Sequence, residues 1–479
     1  MRISSRVLAV AALTATVAVA VGQTPAPAIL PPSIPVAVPT PMAVPKSQAT
    51  EGPKMAPMKM AAPMLPAEPT GPMLAIPMTP PTAPPMPCTD CGTPAASMGT
   101  PKGPRIAPHN GPPESFWFSS GTSINWLKSH PLPFPIAIGS ANGPPRTLLG
   151  ETTRDVGSVY GFKLDAGYWA NEEHTFGFGL GGFMMEQASA FDRAGGGANN
   201  LTIVRPFTDA VTQAQNSILV ANPALGTTGS IALGVGSRFS GFDATMRRNV
   251  TNCDGWTFDL TFGFRYLDLD ESLAVYQRTT FPNGGTNGRT PGALGTPIAF
   301  PAGSTVLVTD RFRTRNQFYG ADLGSLIELR QGIVFLDLTP RVAFGPTHQI
   351  TEIDGRTTVA GGNTVRGGLL ATGGPGSTDS FPDGNIGRFT TSRFTLVTEL
   401  GAQLGVQLTK SARVAVGYNF LYLNNVARPA SQYSGAVNPR TIPLSQSFGT
   451  LSGSRAPQLT LDREDFYSHG VSATFQLMY

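Results

Sequence analysis

The chain has 479 residues, of which only 13% are Asp, Glu, Lys or Arg and 41% are hydrophobic, with 55 Gly and 45 Pro. So little charge, without helical periodicity, argues against a soluble enzyme of two or three domains. The net charge of +4 is spread along the chain, so no basic patch points to a nucleic-acid partner.

Met1 to Gly22 reads as a signal peptide. Arg2 and Arg6 form a positive start, Val7 to Val17 an apolar run, and Ala18-Val19-Ala20 or Ala20-Val21-Gly22 a small-residue cleavage site. The alternative, an uncleaved anchor, fits the shortness of the run less well. No later stretch approaches the roughly 20 apolar residues of a spanning helix, so a mature membrane form must cross as strands.

From Gln23 to Pro113 the chain is Pro-, Ala-, Met- and Thr-rich and holds more than half of the 45 prolines. Proline at this density removes backbone donors, so the segment is expected to be a disordered periplasmic tether. Cys88 and Cys91 form a CxxC in this context, and Met58 and Met60 a Met-x-Met pair. Neither has the supporting residues that zinc, redox or copper chemistry needs, and no metal or cofactor is expected.

At Glu114 aromatics appear and period-2 alternation begins. Trp256, Phe258, Leu260, Phe262, Phe264 and Tyr266 share one face; Thr257, Asp259, Thr261, Gly263 and Arg265 share the other. About 11 residues is the length a tilted strand needs to cross a bilayer. The pattern recurs at Tyr160–Tyr168, Phe176–Leu180, Val334–Phe344, Phe394–Leu408 and Ala412–Tyr422. It is weaker at Phe116–Trp126, Arg238–Met246 and Phe318–Leu329, and in the second of these the apolar face cannot be assigned.

Strands are expected near 116–127, 157–169, 174–185, 234–248, 255–269, 311–329, 332–346, 388–408, 411–424 and 466–479. Their links alternate long and short, the long ones (Glu186–Leu233, Thr347–Gly387) being Gly-, Thr- and Asn-rich loops. A soluble β-sandwich also alternates, but its strands are shorter. The spacing therefore predicts an all-β, antiparallel transmembrane β-barrel of about ten strands (8–12) over 114–479, with both ends periplasmic. Val471, Ala473, Phe475, Leu477 and Tyr479 line one face of the last strand, the pattern of a C-terminal signal for the barrel-assembly machinery.

The chain resembles the planctomycete outer-membrane β-barrel porin family, type seven, over Glu114 to Tyr479. The likeness rests on Phe116-Trp117, Ile124-Asn125-Trp126-Leu127-Lys128 with Pro131-Leu132-Pro133, Gly167-Tyr168-Trp169, Arg205-Pro206-Phe207 and, most specifically, the run from Gly263 to Glu271. It implies a bacterial outer-membrane barrel and supplies no catalytic residues.

With aromatic faces toward lipid, Lys163, Asp165, Asp259, Arg265, Asp337, Arg341, Glu399, Gln403, Gln407 and Arg413 are expected to line the lumen. Both signs of charge are present, which fits either a small, weakly selective pore or an ion-paired filling of a narrow barrel. Asp268, Asp270 and Glu271 are the densest carboxylates; a rim cation site is one reading and pairing with basic neighbours the other. The five histidines show no metal-ligand spacing. The expected role is passive conduction of small solutes or a structural place in the envelope, with no enzymatic activity. The alternative is an enzyme or adhesin working through its long loops. Expected partners are outer-membrane lipid, the assembly machinery and, through the tether, periplasmic or cell-wall components.

Overall fold

Alternating faces and β-branched or aromatic side chains make strands, and in lipid every strand must have two neighbours. The computed structural model describes residues 115–479 apart from 142, 197–200, 254, 287–298, 361–363, 374–383, 433, 446 and 449–455. The signal peptide, the tether and Cys88 and Cys91 lie outside the described residues.

Ten strands form a closed antiparallel ring. They are β1 (Phe116–Leu127), β2 (Ser158–Trp169), β3 (Phe176–Met185), β4 (Thr228–Cys253), β5 (Trp256–Phe281), β6 (Ser304–Gln331), β7 (Val334–Val359), β8 (Gly387–Gln407), β9 (Ala412–Ala427) and β10 (Arg463–Met478). Each pairs with its neighbours in sequence, and β1 closes onto β10 from Trp117↔Met478 to Leu127↔Ser468. The main chains of Phe116 and Tyr479 exchange hydrogen bonds of 2.8 and 2.7 Å at that seam. The links 170–175, 254–255, 332–333 and 408–411 are short, and the other five are long, so both barrel ends lie on the short-turn side. In the link after β6, Gly332 adopts φ +64°, a left-handed conformation that glycine takes without strain.

The apolar rows point outward: Leu260, Phe262 and Phe264 on β5, Leu400 and Leu404 on β8, and Val416 and Tyr418 on β9 are all exposed. The three weaker stretches are barrel strands too. On β4 Phe242 and Met246 face out, while the main-chain alternation turns Asp243 and Arg247 inward.

Strands β4 to β7 are longer than the alternation suggested, at 26, 26, 28 and 26 residues. Residues read as loop continue the wall because their inward side chains have something to pack against. Leu273, Val275, Val306, Val308 and Ile353 are buried in one apolar cluster with Ile136, Ile203, Phe207, Ile218 and Leu370 from the long links. The Gly- and Thr-rich loop after β3 likewise contains strands. Thr202–Asp209 and Gln215–Ala221 join His130–Ser140, Arg146–Arg154 and Ala436–Val437 in a five-stranded sheet at the long-loop end. Ala188–Gly196 pairs with the upper half of β4 and widens the wall.

Lipid on one face and polar lumen on the other make the two faces unequal toward charge. Leu260→Arg should lose about 2–4 kcal/mol of barrel stability and Thr261→Arg much less. The temperature at which the compact gel band converts to the unfolded one measures this, and equal tolerance of both would refute the orientation.

Candidate functional site

The inward rows of the short-turn half enclose a cavity of about 1110 Å³ that reaches the turns at Gly255, Gly332 and Thr409. Lys163, Asp165, Asp259, Asp337 and Arg341 border it, as do Glu399, Gln403, Gln407 and Arg413. Arg265 is buried and pairs with Glu399 and, at 3.7 Å, with Asp322.

Charges of both signs meet across the lumen. Arg341 of β7 holds Asp322 at 2.5 Å and Asp243 of β4 at 3.1 Å. Arg413 of β9 reaches Glu328 of β6 at 2.8 Å and receives Gln407 Oε1 on its Nε at 2.7 Å. Arg247 donates from Nε to Asp259 at 2.6 Å and lies over the rings of Trp117 and Trp169 at 5.3 and 5.0 Å. Trp117 donates its indole N–H to Asp165 at 3.1 Å. A carboxylate or guanidinium that already has an opposite charge in contact is stabilised by it and is less available to a solute. Among the described residues no cluster of three or more His, Cys, Asp or Glu could hold a metal ion.

Trp117, Asp243, Arg247, Asp322 and Glu328 belong to this network and were missed from sequence. Asp322 and Glu328 alternate with outward Leu323 and Leu329, a legible signal in a strand whose pattern is otherwise weak. Trp117 gave none, because an aromatic on the polar face contradicts the rule that found the others.

Above the cavity the lining turns apolar. Leu127, Val159, Met185, Phe239, Leu267, Phe318, Ala343, Val397, Leu423 and Phe466, one from each strand of the ring, form a single buried cluster. Phe239 of β4 meets Phe183 of β3 edge-on at 5.1 Å and Phe466 of β10 at 5.3 Å, a contact that crosses the lumen.

Two buried carboxylates above this layer anchor the long links. Glu271 of β5 accepts from both arms of Arg428 at 2.8 and 3.1 Å. Arg428 also donates to the carbonyls of Ser129 and Lys128 at 2.9 and 3.0 Å, tying the links after β9 and β1 to one wall position. His130 Nε2 lies 2.9 Å from Ser237 Oγ and 3.7 Å from Glu271. Burial holds its imidazole below the usual range, against the pull of Glu271. Asp310 of β6 pairs with Arg205 at 2.6 Å and accepts the main-chain N–H groups of Leu370 and Ala371, each at 2.8 Å. The carboxylate triplet thus splits by parity: Glu271 faces in, while Asp268 and Asp270 face out and take Arg315 and Arg313 in bidentate pairs. On β10, Val471, Ala473 and Tyr479 are exposed on the outer face, which Phe475 and Leu477 share by alternation.

The family described as Putative beta barrel porin-7 (BBP7) matches residues 137–479. The chain belongs to this family. Its place in the bacterial outer membrane accords with the closed ring and the exposed apolar belt. No curated protein matches the sequence. Among solved structures, the outer membrane protease OmpT from Escherichia coli is 9% identical, over 77% of this chain and 97% of that one, at a TM-score of 0.34. The toluene transporter TodX of P. putida (8% identity, 77% and 91% covered, TM-score 0.19) and a Pseudomonas aeruginosa FadL homologue (10%, 76% and 90%, 0.18) are also similar. In this BBP7 member the family match takes in the whole barrel except β1 and the start of the link after it.

Removing one partner of a fully buried ion pair strands the other. Glu271→Gln should cost about 3–5 kcal/mol, borne by the anchored links. Protease added outside intact cells is expected to cut the variant within 428–462 while the heat-modifiable gel band persists. Unchanged resistance would show that Glu271 anchors nothing.

Proposed function

We propose that the protein is a structural, non-enzymatic barrel of the outer membrane whose lumen is closed. The observation that carries this reading is the buried apolar layer to which all ten strands contribute. A hydrated ion or sugar passing there would have to shed water against the apolar side chains of Phe239, Leu267 and Phe466. The folded links above supply a second seal, since their cluster of buried Ile, Leu, Val and Phe packs against β4 to β7. The paired charges of the cavity then act as the filling of a narrow barrel.

Planar-bilayer recording on the purified, refolded chain tests this, with heat-modifiable gel mobility as the folding control. A folded barrel without stepwise conductance is expected. Phe239→Ala with Phe466→Ala should weaken the layer by about 3–5 kcal/mol for each ring lost and let current through. Regular conductance steps from the unaltered chain would overturn the reading in favour of a small-solute porin.

A further inference from the structure

On five consecutive strands the outward row ends its apolar run on an aromatic and then turns polar. Phe242 on β4, Tyr266 on β5, Tyr319 on β6, Phe344 on β7 and Phe394 on β8 mark the change. Amphipathic rings favour the depth where acyl chain gives way to headgroup, so the residues above them stand among headgroups on the long-loop side. That side faces outward from the cell, because the short turns and both barrel ends are periplasmic.

In this zone charges run in an unbroken line around the wall. Arg238 lies 3.8 Å from Asp270, which takes Arg313 at 2.9 and 2.6 Å. Arg313 lies 3.8 Å from Glu352, which Arg388 approaches at 3.5 Å. Three guanidinium groups are thus strung over two carboxylates. Arg238, Arg313 and Arg388 are 51%, 48% and 65% exposed, so each has N–H groups turned away from its protein partner. The neighbouring Arg315–Asp268 pair is self-neutralising, and the exposed Arg311 stands across from Asp354, which Arg356 approaches at 3.1 Å. An excess of forked donors, spread over β4 to β8 at headgroup depth, is complementary to phosphate oxygens presented by lipid.

We propose that the outer wall formed by Arg238, Arg313 and Arg388 is a binding site for the phosphorylated headgroup of an outer-leaflet lipid. The carboxylates between them neutralise part of the positive charge, and the lipid phosphate supplies the missing negative charge. The acyl chains of that lipid lie along the apolar rows below Tyr266 and Tyr319, which joins the site to the membrane belt. The site is independent of whether the lumen conducts.

The test reconstitutes the full mature protein into phosphatidylcholine vesicles with and without lipid A. The readout is the temperature at which the compact gel band is lost. Lipid A should raise that temperature for the unaltered protein, and R238Q/R313Q/R388Q should lose most of the rise. An equal rise in the triple variant would overturn the site. Should that variant not fold, D270N/E352Q decides: it leaves all three arginines in place, so the lipid A effect should be kept or enlarged, and its loss would overturn the site. Inorganic phosphate with phosphatidylcholine vesicles is expected to give little protection. Full protection by it would replace the lipid site with one for a free anion.

Discussion

A backbone in hydrocarbon has no water to satisfy its N–H and C=O groups, so each strand must be paired on both edges. That constraint is met at one seam: β1 and β10, at opposite ends of the barrel sequence, run antiparallel from Trp117↔Met478 to Leu127↔Ser468. Everything else follows from closure. Once the ring is shut, parity assigns each side chain to lipid or lumen. An even strand count puts both ends at the same face, and the five long links must gather at the other.

Closing ten strands also creates an interior that has to be filled, and it is filled differently at each height. Toward the short turns, ion pairs such as Arg265–Glu399 and Arg413–Glu328 cross the lumen beside the cavity. In the middle, aliphatic and aromatic side chains from every strand meet. Above, the long links fold into a sheet and pack on the elongated β4 to β7. Glu271 and Asp310 decide how those links are placed, since each gathers two distant segments at one wall position. Buried pairs of this kind contribute more to fixing one arrangement than to net stability, because desolvation offsets much of their attraction.

The stretches through which the chain resembles its family fall largely on these internal joints. The run from Gly263 to Glu271 carries Arg265 to the cavity network, Leu267 and Leu269 to the apolar layer and Glu271 to the anchor of the cap. Arg205 and Phe207 of Arg205-Pro206-Phe207 are buried where the link after β3 meets β6. Trp117 opens the barrel sequence and stacks on Arg247. Arg205 and Glu271 hold loops to wall, while Arg265, Leu267 and Trp117 join one wall strand to another.

The barrel and its strand number were legible in the chain alone, because period-2 alternation is a local property and each strand displays it by itself. Asp259 and Arg265 could be turned inward from their neighbours Leu260 and Phe264 without knowing what they touch. The upper half was not legible. Leu273 and Val275 continue the alternation of β5, but apolar residues on the inward face look like a lost pattern until a partner is known. That partner, a sheet assembled from three separate links, exists only after the ring has brought its loops together. Likewise Glu271 and Arg428 stand 157 residues apart, and no spacing rule joins them. The sequence by itself determined which way each strand faces; only the tertiary structure brought side chains from all ten strands together at one height, because no single strand shows what its inward residues will meet.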